Sequence, residues 1–197
     1  YEYVVAKPKS EYTEEAIVKL SEMLLNNSKW NDAIPLLKRL EVEADYPQNI
    51  TYAQSNLMNA YYQLENYNDA VLYAENVLNI SKIDNKVKSD AQIIIARSAI
   101  KTNNEAKAKT AYANLEIIAT GALAAEALYY NAYFKHKEGD YKGSNTTTQK
   151  LAKDYSSYKY YSAKGLVLMA KNFDALNEAF QATYILESVI TSFPEFE

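Results

Sequence analysis

The sequence predicts an all-α fold, an array of about five helical hairpins, and three observations carry that reading. Gly and Pro are scarce: four of each in 197 residues, about 4% where roughly 12% is usual. A chain so poor in turn-formers does not easily build the many tight turns of a β-sandwich or barrel. Apolar residues recur at steps of three and four, as in Ile17, Leu20, Leu24 and again in Ala33, Leu37, Leu40, which puts them on one helical face. A small residue also returns at one period: Ala33, Ala70, Ala108, Ser144 and Ala182 are spaced 37, 38, 36 and 38 residues apart.

Each small residue follows a polar link with a recurrent pattern. The copies read Lys29-Trp30-Asn31-Asp32-Ala33, Asn66-Tyr67-Asn68-Asp69-Ala70, Asn103-Asn104-Glu105-Ala106-Lys107-Ala108, Gly139-Asp140-Tyr141-Lys142-Gly143-Ser144 and Asn177-Glu178-Ala179-Phe180-Gln181-Ala182. Before each copy lies an apolar-periodic stretch of about 15 residues, and after it a second one. Short polar links between helices imply antiparallel neighbours, so every copy marks the turn of a hairpin. The expected helices are 12–27, 31–45, 49–64, 67–80, 86–101, 104–119, 122–137, 141–154, 157–172 and 178–192.

Pro47 and Pro194 follow the second helices of the first and fifth units, where a helix should stop. Pro35 falls within the first turn or so of the expected helix 31–45 and, past its first position, should cost one backbone hydrogen bond. The small residue is needed where the two helices of a hairpin cross closely, leaving room for little more than a methyl group. Trp30 and the tyrosines before the small residues should plug gaps between successive hairpins, which accounts for much of the count of 19 Tyr. Residues 1–10 read as a lead-in. The array then divides into units of about 11–47, 48–84, 85–121, 122–156 and 157–197. The chain starts at Tyr1 with no signal-like apolar region after it and reads as a piece of a longer protein.

Composition excludes several function classes. Zero Cys removes disulfides, thiolate zinc sites, iron–sulfur clusters and cysteine nucleophiles, and the single His136 removes multi-histidine metal sites. No glycine-rich phosphate loop is present. These absences point away from an enzyme and from any cofactor. Net charge is −4; residues 1–98 carry 10 basic and 14 acidic groups and residues 99–197 carry 11 of each, so no basic field favours nucleic acid. Arg39 and Arg97 are the only arginines, which leaves bidentate phosphate recognition poorly supplied. No apolar run is long enough to span a bilayer.

His136, between Lys135 and Lys137, reads as a solvent-facing histidine at a helix C-terminus, where the macrodipole favours it. Glu14 and Glu15 sit in a first helical turn, where negative charge is stabilising, and Glu41/Glu43 read equally as surface acids. Asp84, Asp90 and Asp140 do not fit a calcium-loop spacing. The pairs Tyr61/Tyr62, Tyr129/Tyr130 and Tyr160/Tyr161 lie on first helices. Either both members pack, or one packs and the other offers a platform to a ligand.

The hairpin pattern, best seen in Asn66-Tyr67-Asn68-Asp69-Ala70 and in Gly139-Asp140-Tyr141 with Ser144, resembles the tetratricopeptide repeat over nearly all of residues 11–194. The period exceeds the usual 34 residues, and Ser21 and Met58 stand where Gly is typical, as Ser144 stands for Ala. The resemblance implies a right-handed superhelical solenoid that acts as a non-catalytic scaffold for a protein or peptide partner. The long period is similar to that of bacterial cell-envelope proteins, the outer-membrane-assembly lipoproteins and Tol–Pal-associated periplasmic factors, and implies a periplasmic or outer-membrane-associated setting.

In that family the first helices line the concave groove. Carried over, the groove residues are Ser55, Asn59 and Tyr62; Ile93, Arg97, Ile100 and Lys101; Tyr129, Tyr133, His136 and Lys137; and Val167 and Lys171. The expected partner contacts are Asn59, Tyr62, Arg97, Lys101, Tyr129, Tyr133, His136 and Lys171. The basic members would suit an acidic or extended peptide. The alternative is glycan binding in an outer-membrane uptake system, by stacking of sugars on tyrosine faces. Apolar surface around Ile185, Val189 and Ile190 leaves room for self-association through uncapped ends.

Overall fold

A computed structural model of the chain describes residues 1–194, which form eleven α-helices and no strand. They are α1 (Glu2–Val5), α2 (Thr13–Asn26), α3 (Trp30–Glu43), α4 (Pro47–Gln63), α5 (Tyr67–Leu78), α6 (Asn85–Lys101), α7 (Glu105–Ile118), α8 (Gly121–Lys137), α9 (Tyr141–Asp154), α10 (Lys159–Ala175) and α11 (Ala179–Ser192). All ten expected helices are present, with ends within three residues of the sequence reading. Residues 195–197, the end of the fifth unit, lie outside the described residues. The chain forms two compact units, Tyr1–Ala108 and Lys109–Glu197, with the boundary inside α7.

Every hairpin turn uses one device. Ser28, Glu65, Asn103, Gly139 and Asn177 all have positive φ, between 56° and 82°. Each lies five residues before a small residue of the repeat. Around each, the same two hydrogen bonds close the first helix. In the first turn, for example, Lys29 N–H donates to Leu24 O and Ser28 N–H to Leu25 O; the same pair runs from Asn66 to Tyr61 and Glu65 to Tyr62, from Asn104 to Ala99 and Asn103 to Ile100, from Asp140 to Lys135 and Gly139 to His136, and from Glu178 to Phe173 and Asn177 to Asp174. This is a left-handed helix stop that satisfies orphan carbonyls and reverses the chain in the fewest residues. Side chains then cap the second helix in the middle hairpins: Asn104 Oδ1 accepts from Lys107 N–H (3.1 Å) and Asp140 Oδ1 from Gly143 N–H (2.9 Å).

The turn fixes where the second helix begins, and the small residue sits one turn further on. Ala33, Ala70, Ala108 and Ser144 are fully buried, and Ala182 is 8% exposed. Successive antiparallel helices pack through these positions, α2 on α3, α4 on α5, α8 on α9 and α10 on α11. Tyr67, just before Ala70, lies edge-on to Tyr62 of its own hairpin (5.9 Å) and lines an open cleft with Ala99 and Thr102 of the next helix.

In residues 1–108 the lead-in is tied down more firmly than expected. It carries α1, too short to announce itself by periodicity, and Val5 packs on the core of Ile17, Leu40 and Ala53. The Arg39 guanidinium donates to the Val5 carbonyl, to the Lys7 carbonyl (3.1 Å) and to Glu43 (2.8 Å), and Lys9 pairs with Asp45 (2.7 Å). Pro47 does more than follow a stop: it is the first residue of α4, where its missing N–H is harmless.

Glu14 is not a mere first-turn surface acid. It is buried and accepts from Asp45 N–H (2.7 Å) and Asn49 Nδ2 (2.6 Å), clamping the α3–α4 junction. Burial pushes its carboxyl up, but the hydrogen bonds from Asn49, Asp45 and Tyr46 outweigh that and hold it below the ordinary carboxylate value.

In residues 109–197, a Cβ added at Gly165 of α10 would stand 2.8 Å from Leu151 Cδ2 of α9, so the Leu151 side chain would have to shift to admit it. Ser144, the departure from Ala, is explained by its hydroxyl: Oγ donates to Ala132 O (2.8 Å) and satisfies itself at the crossing.

Ala70→Leu should overpack the α4–α5 crossing and cost about 1–3 kcal/mol, read as a lower midpoint in denaturant. Glu14→Gln should cost about 1–3 kcal/mol at neutral pH by weakening charge-assisted bonds. A lowered folded-state pKa contributes stability above the unfolded value and loses it as pH falls through the folded one, so melting of the Gln variant should fall less steeply than wild type below about pH 5.

Candidate functional site

α8 and α10 are the first helices of consecutive hairpins in residues 109–197 and run parallel in contact. The register is visible in paired residues: Tyr129 lies beside Tyr161 (6.0 Å between rings), and His136 Nδ1 is 2.6 Å from Asn172 Oδ1. Between them is a cleft of about 250 Å³ lined by Tyr129, Tyr133 and His136 from α8 and by Lys164, Val167, Leu168 and Lys171 from α10. The lining follows from spacing: 129, 133, 136 and 164, 167, 168, 171 each fall at three- and four-residue steps on one helix face.

A buried polar network forms the floor. Asn172 is fully buried, and its Nδ2 donates to Ser144 Oγ and Asn145 Oδ1 (2.8 Å each). That orients Oδ1 toward His136, so His136 Nδ1 carries the proton and donates. The other nitrogen, Nε2, is left to act as the acceptor in the neutral ring. The Tyr141 ring stands edge-on to the imidazole at 5.4 Å. His136 is therefore half-buried and held by a neighbouring hairpin, not the solvent-facing helix-end residue its flanking lysines suggested. Its fixing partner is 36 residues away in sequence.

The rim is aromatic and cationic. Lys164 Nζ lies 4.4 Å from the Tyr129 ring centroid, 5.1 Å from that of Tyr160 and 6.0 Å from that of Tyr130, and Lys137 Nζ is 5.8 Å from that of Tyr133. These contacts hold ammonium groups at ring faces. Burial, helped by neighbouring Tyr130, Tyr133 and Tyr160, pushes the Tyr129 hydroxyl up to about 12, so it remains a neutral donor.

At least one member of each tyrosine pair packs. Tyr61 is buried and stacks on Tyr73 (5.5 Å), Tyr130 stacks on Tyr112 (4.3 Å), and both Tyr129 and Tyr161 pack on the Ala125, Leu128, Leu151 core. Tyr62, Tyr129, Tyr130 and Tyr161 are half-buried, and Tyr160 is 52% exposed.

Four expected contact residues thus meet in one cleft: Tyr129, Tyr133, His136 and Lys171. The other four lie in residues 1–108. Asn59 is exposed, with its amide donating to Ser55 O (3.0 Å); Tyr62 is half-buried; Arg97 is half-buried; and Lys101 is exposed in the last turn of α6. None of these four lines a cleft described for that unit. Ile93, placed in the groove by the resemblance, is instead buried in the core. Lys164 and Leu168 were not among the expected contacts, although each falls three residues before one of Val167 and Lys171 on the same helix face.

A second cleft of about 300 Å³ adjoins the first through Val167 and Lys171 and continues between α10 and α11 over Ala170, Asp174, Ala182 and Leu186. The open apolar face of α11 is carried by Phe180, Tyr184, Leu186 and Ile190, while Ile185 and Val189 are half-buried. Ile190 is thus exposed and Ile185 and Val189 partly so, and Phe180, Tyr184 and Leu186 add to them. Among the described residues no group of three or more His, Cys, Asp or Glu side chains could hold a metal ion, and no helix is long and apolar enough to cross a membrane.

Asn172→Ala should leave His136, Ser144 and Asn145 without their shared partner and cost about 1–3 kcal/mol. Imidazole nitrogen shifts in an NMR spectrum should show His136 losing its fixed Nδ1–H tautomer.

No family profile matches the chain, and no curated protein does. Solved structures do. A crystal structure of MamA protein aligns with TM-score 0.72 at 14% identity, over 92% of each chain. The Podosopora anserina kinesin light chain nearly identical TPR-like repeats align at 0.63 and 14%, over 93% of this chain and 96% of that one. YrrB, described as a TPR protein with an unusual peptide-binding site, aligns at 0.68 and 13%, over 90% and 85%. At such identities the likeness is one of fold, and the fold is the all-α helical-hairpin array of tetratricopeptide-repeat proteins.

Proposed function

We infer that this chain is a non-catalytic interaction scaffold that docks a segment of a protein partner in the cleft between α8 and α10. The observation that carries the reading is the convergence of Tyr129, Tyr133, His136, Lys164 and Lys171 around one preformed opening whose floor is a satisfied polar network. Preformed walls lower the ordering cost of binding on the scaffold side, and tyrosine rings give large contact area with a polar handle. The fold shared with YrrB, whose description includes a peptide-binding site, supports the same reading. The setting we infer, bacterial envelope assembly, rests on the long repeat period. Self-association through the exposed face of α11 is a second contact carried by the proposal.

A random-peptide display selection on the chain tests this. Selected peptides should bind the wild type, and Tyr129→Ala should weaken them by about tenfold, the loss expected for a central aromatic contact. As a separate test of residues 1–108, Arg97→Glu with Lys101→Glu should weaken partner binding and leave helicity intact, and equal binding would dispose of a basic groove there. The tyrosine faces also suit sugars, so neutral soluble glycans are titrated beside the peptides. Heat or a tyrosine-fluorescence change with glycans and none with peptides would replace the scaffold reading by glycan uptake.

A further inference from the structure

Some lysines of this acidic chain are matched by acids. Lys107 pairs with Glu75 (2.8 Å), Lys109 with Glu138, and Lys150 with Glu116 (3.3 Å). Among the described residues neither Lys164 nor Lys171 is paired with a carboxylate. Asp174, the one acid among the residues lining the two adjoining clefts, faces the second of them. Lys164 is instead held over tyrosine rings, which positions its ammonium without neutralising it.

The two cations bracket an apolar strip. Lys164 marks the Tyr129 end of the cleft, Lys171 the His136 end, and Val167 and Leu168 lie between them opposite Tyr133. Seven residues of helix separate the two lysine Cα atoms by about 10.5 Å. In an extended peptide, residues i, i+2 and i+4 point the same way and span about 13 Å. Flexible lysine and glutamate side chains take up the difference.

We propose that the cleft recognises an internal, extended acid–x–apolar–x–acid segment of a partner protein, with one carboxylate on Lys164, one on Lys171, and the apolar side chain against Val167, Leu168 and Tyr133. This rests on the scaffold reading and names its ligand class. Recognition of side-chain carboxylates requires no free C-terminus. His136 and Tyr129 line the same cleft and supply polar groups for the peptide backbone.

The probe is a fluorescein-labelled peptide with both ends blocked, carrying Glu-Ser-Phe-Ser-Glu, titrated by anisotropy against the whole chain. Two comparison peptides replace both Glu by Gln, or place the two Glu side by side. The acidic peptide should bind. The Gln peptide and the Lys164→Glu and Lys171→Glu variants should each bind about tenfold more weakly, and added salt should weaken only the acidic peptide. Circular dichroism should show the variants as helical as wild type. Equal affinity for the Glu and Gln peptides, or unchanged binding by Lys171→Glu, would overturn the proposal. In that case the scaffold reading stands if Tyr129→Ala abolishes binding of both peptides. Failure of every probe peptide would also overturn the proposal, and the display selection then decides the scaffold reading separately.

Discussion

The left-handed turn residue is the constraint on which the hairpins depend. Two antiparallel helices can approach closely only if the chain between them reverses at a fixed place, and a single residue at positive φ does this in the fewest residues. Four of the five such residues are not glycine: Ser28, Glu65, Asn103 and Asn177. Each carries a local cost of about 1–2 kcal/mol for that conformation, and the paired hydrogen bonds and the buried crossing that follow offset it. Because the turn fixes the start of the second helix, it also fixes which residue reaches the crossing, and only Ala or Ser fits there.

The cleft is a consequence of the same geometry. Ser144 occupies the crossing of α8 and α9, and its hydroxyl accepts from Asn172 on the next hairpin. That bond and the one to Asn145 set the amide of Asn172, which in turn sets the tautomer of His136. A position that elsewhere only permits close packing here begins a chain of hydrogen bonds ending at a wall of the cleft. The tyrosines follow a similar logic. At least one member of each pair packs between helices, and Tyr129 does so while also lining the cleft.

Charge in the cleft acts against the sign of the whole chain. Net charge is negative, yet the cleft is lined by Lys164 and Lys171, and Lys164 is steadied by tyrosine rings. A cation over an aromatic face keeps its full charge, whereas one paired with a carboxylate loses most of its field. A local basic site can therefore persist in an acidic protein.

The amino-acid sequence by itself determined the hairpins. Period, helical steps and scarce turn-formers are local signals, and they located ten helices and all five crossing residues, because each depends on neighbours within a few turns. It also marked Tyr129, Tyr133, His136 and Lys171 as sharing a face. The tertiary structure decided the rest: that Lys164 joins them, that His136 is anchored by Asn172, that Glu14 clamps a junction some 31 to 35 residues away, that α1 is pinned by Arg39, and that Ile93 is core. These outcomes rest on contacts between residues distant in sequence, whose partners are chosen by how helices stack, and no local pattern of residues specifies that choice.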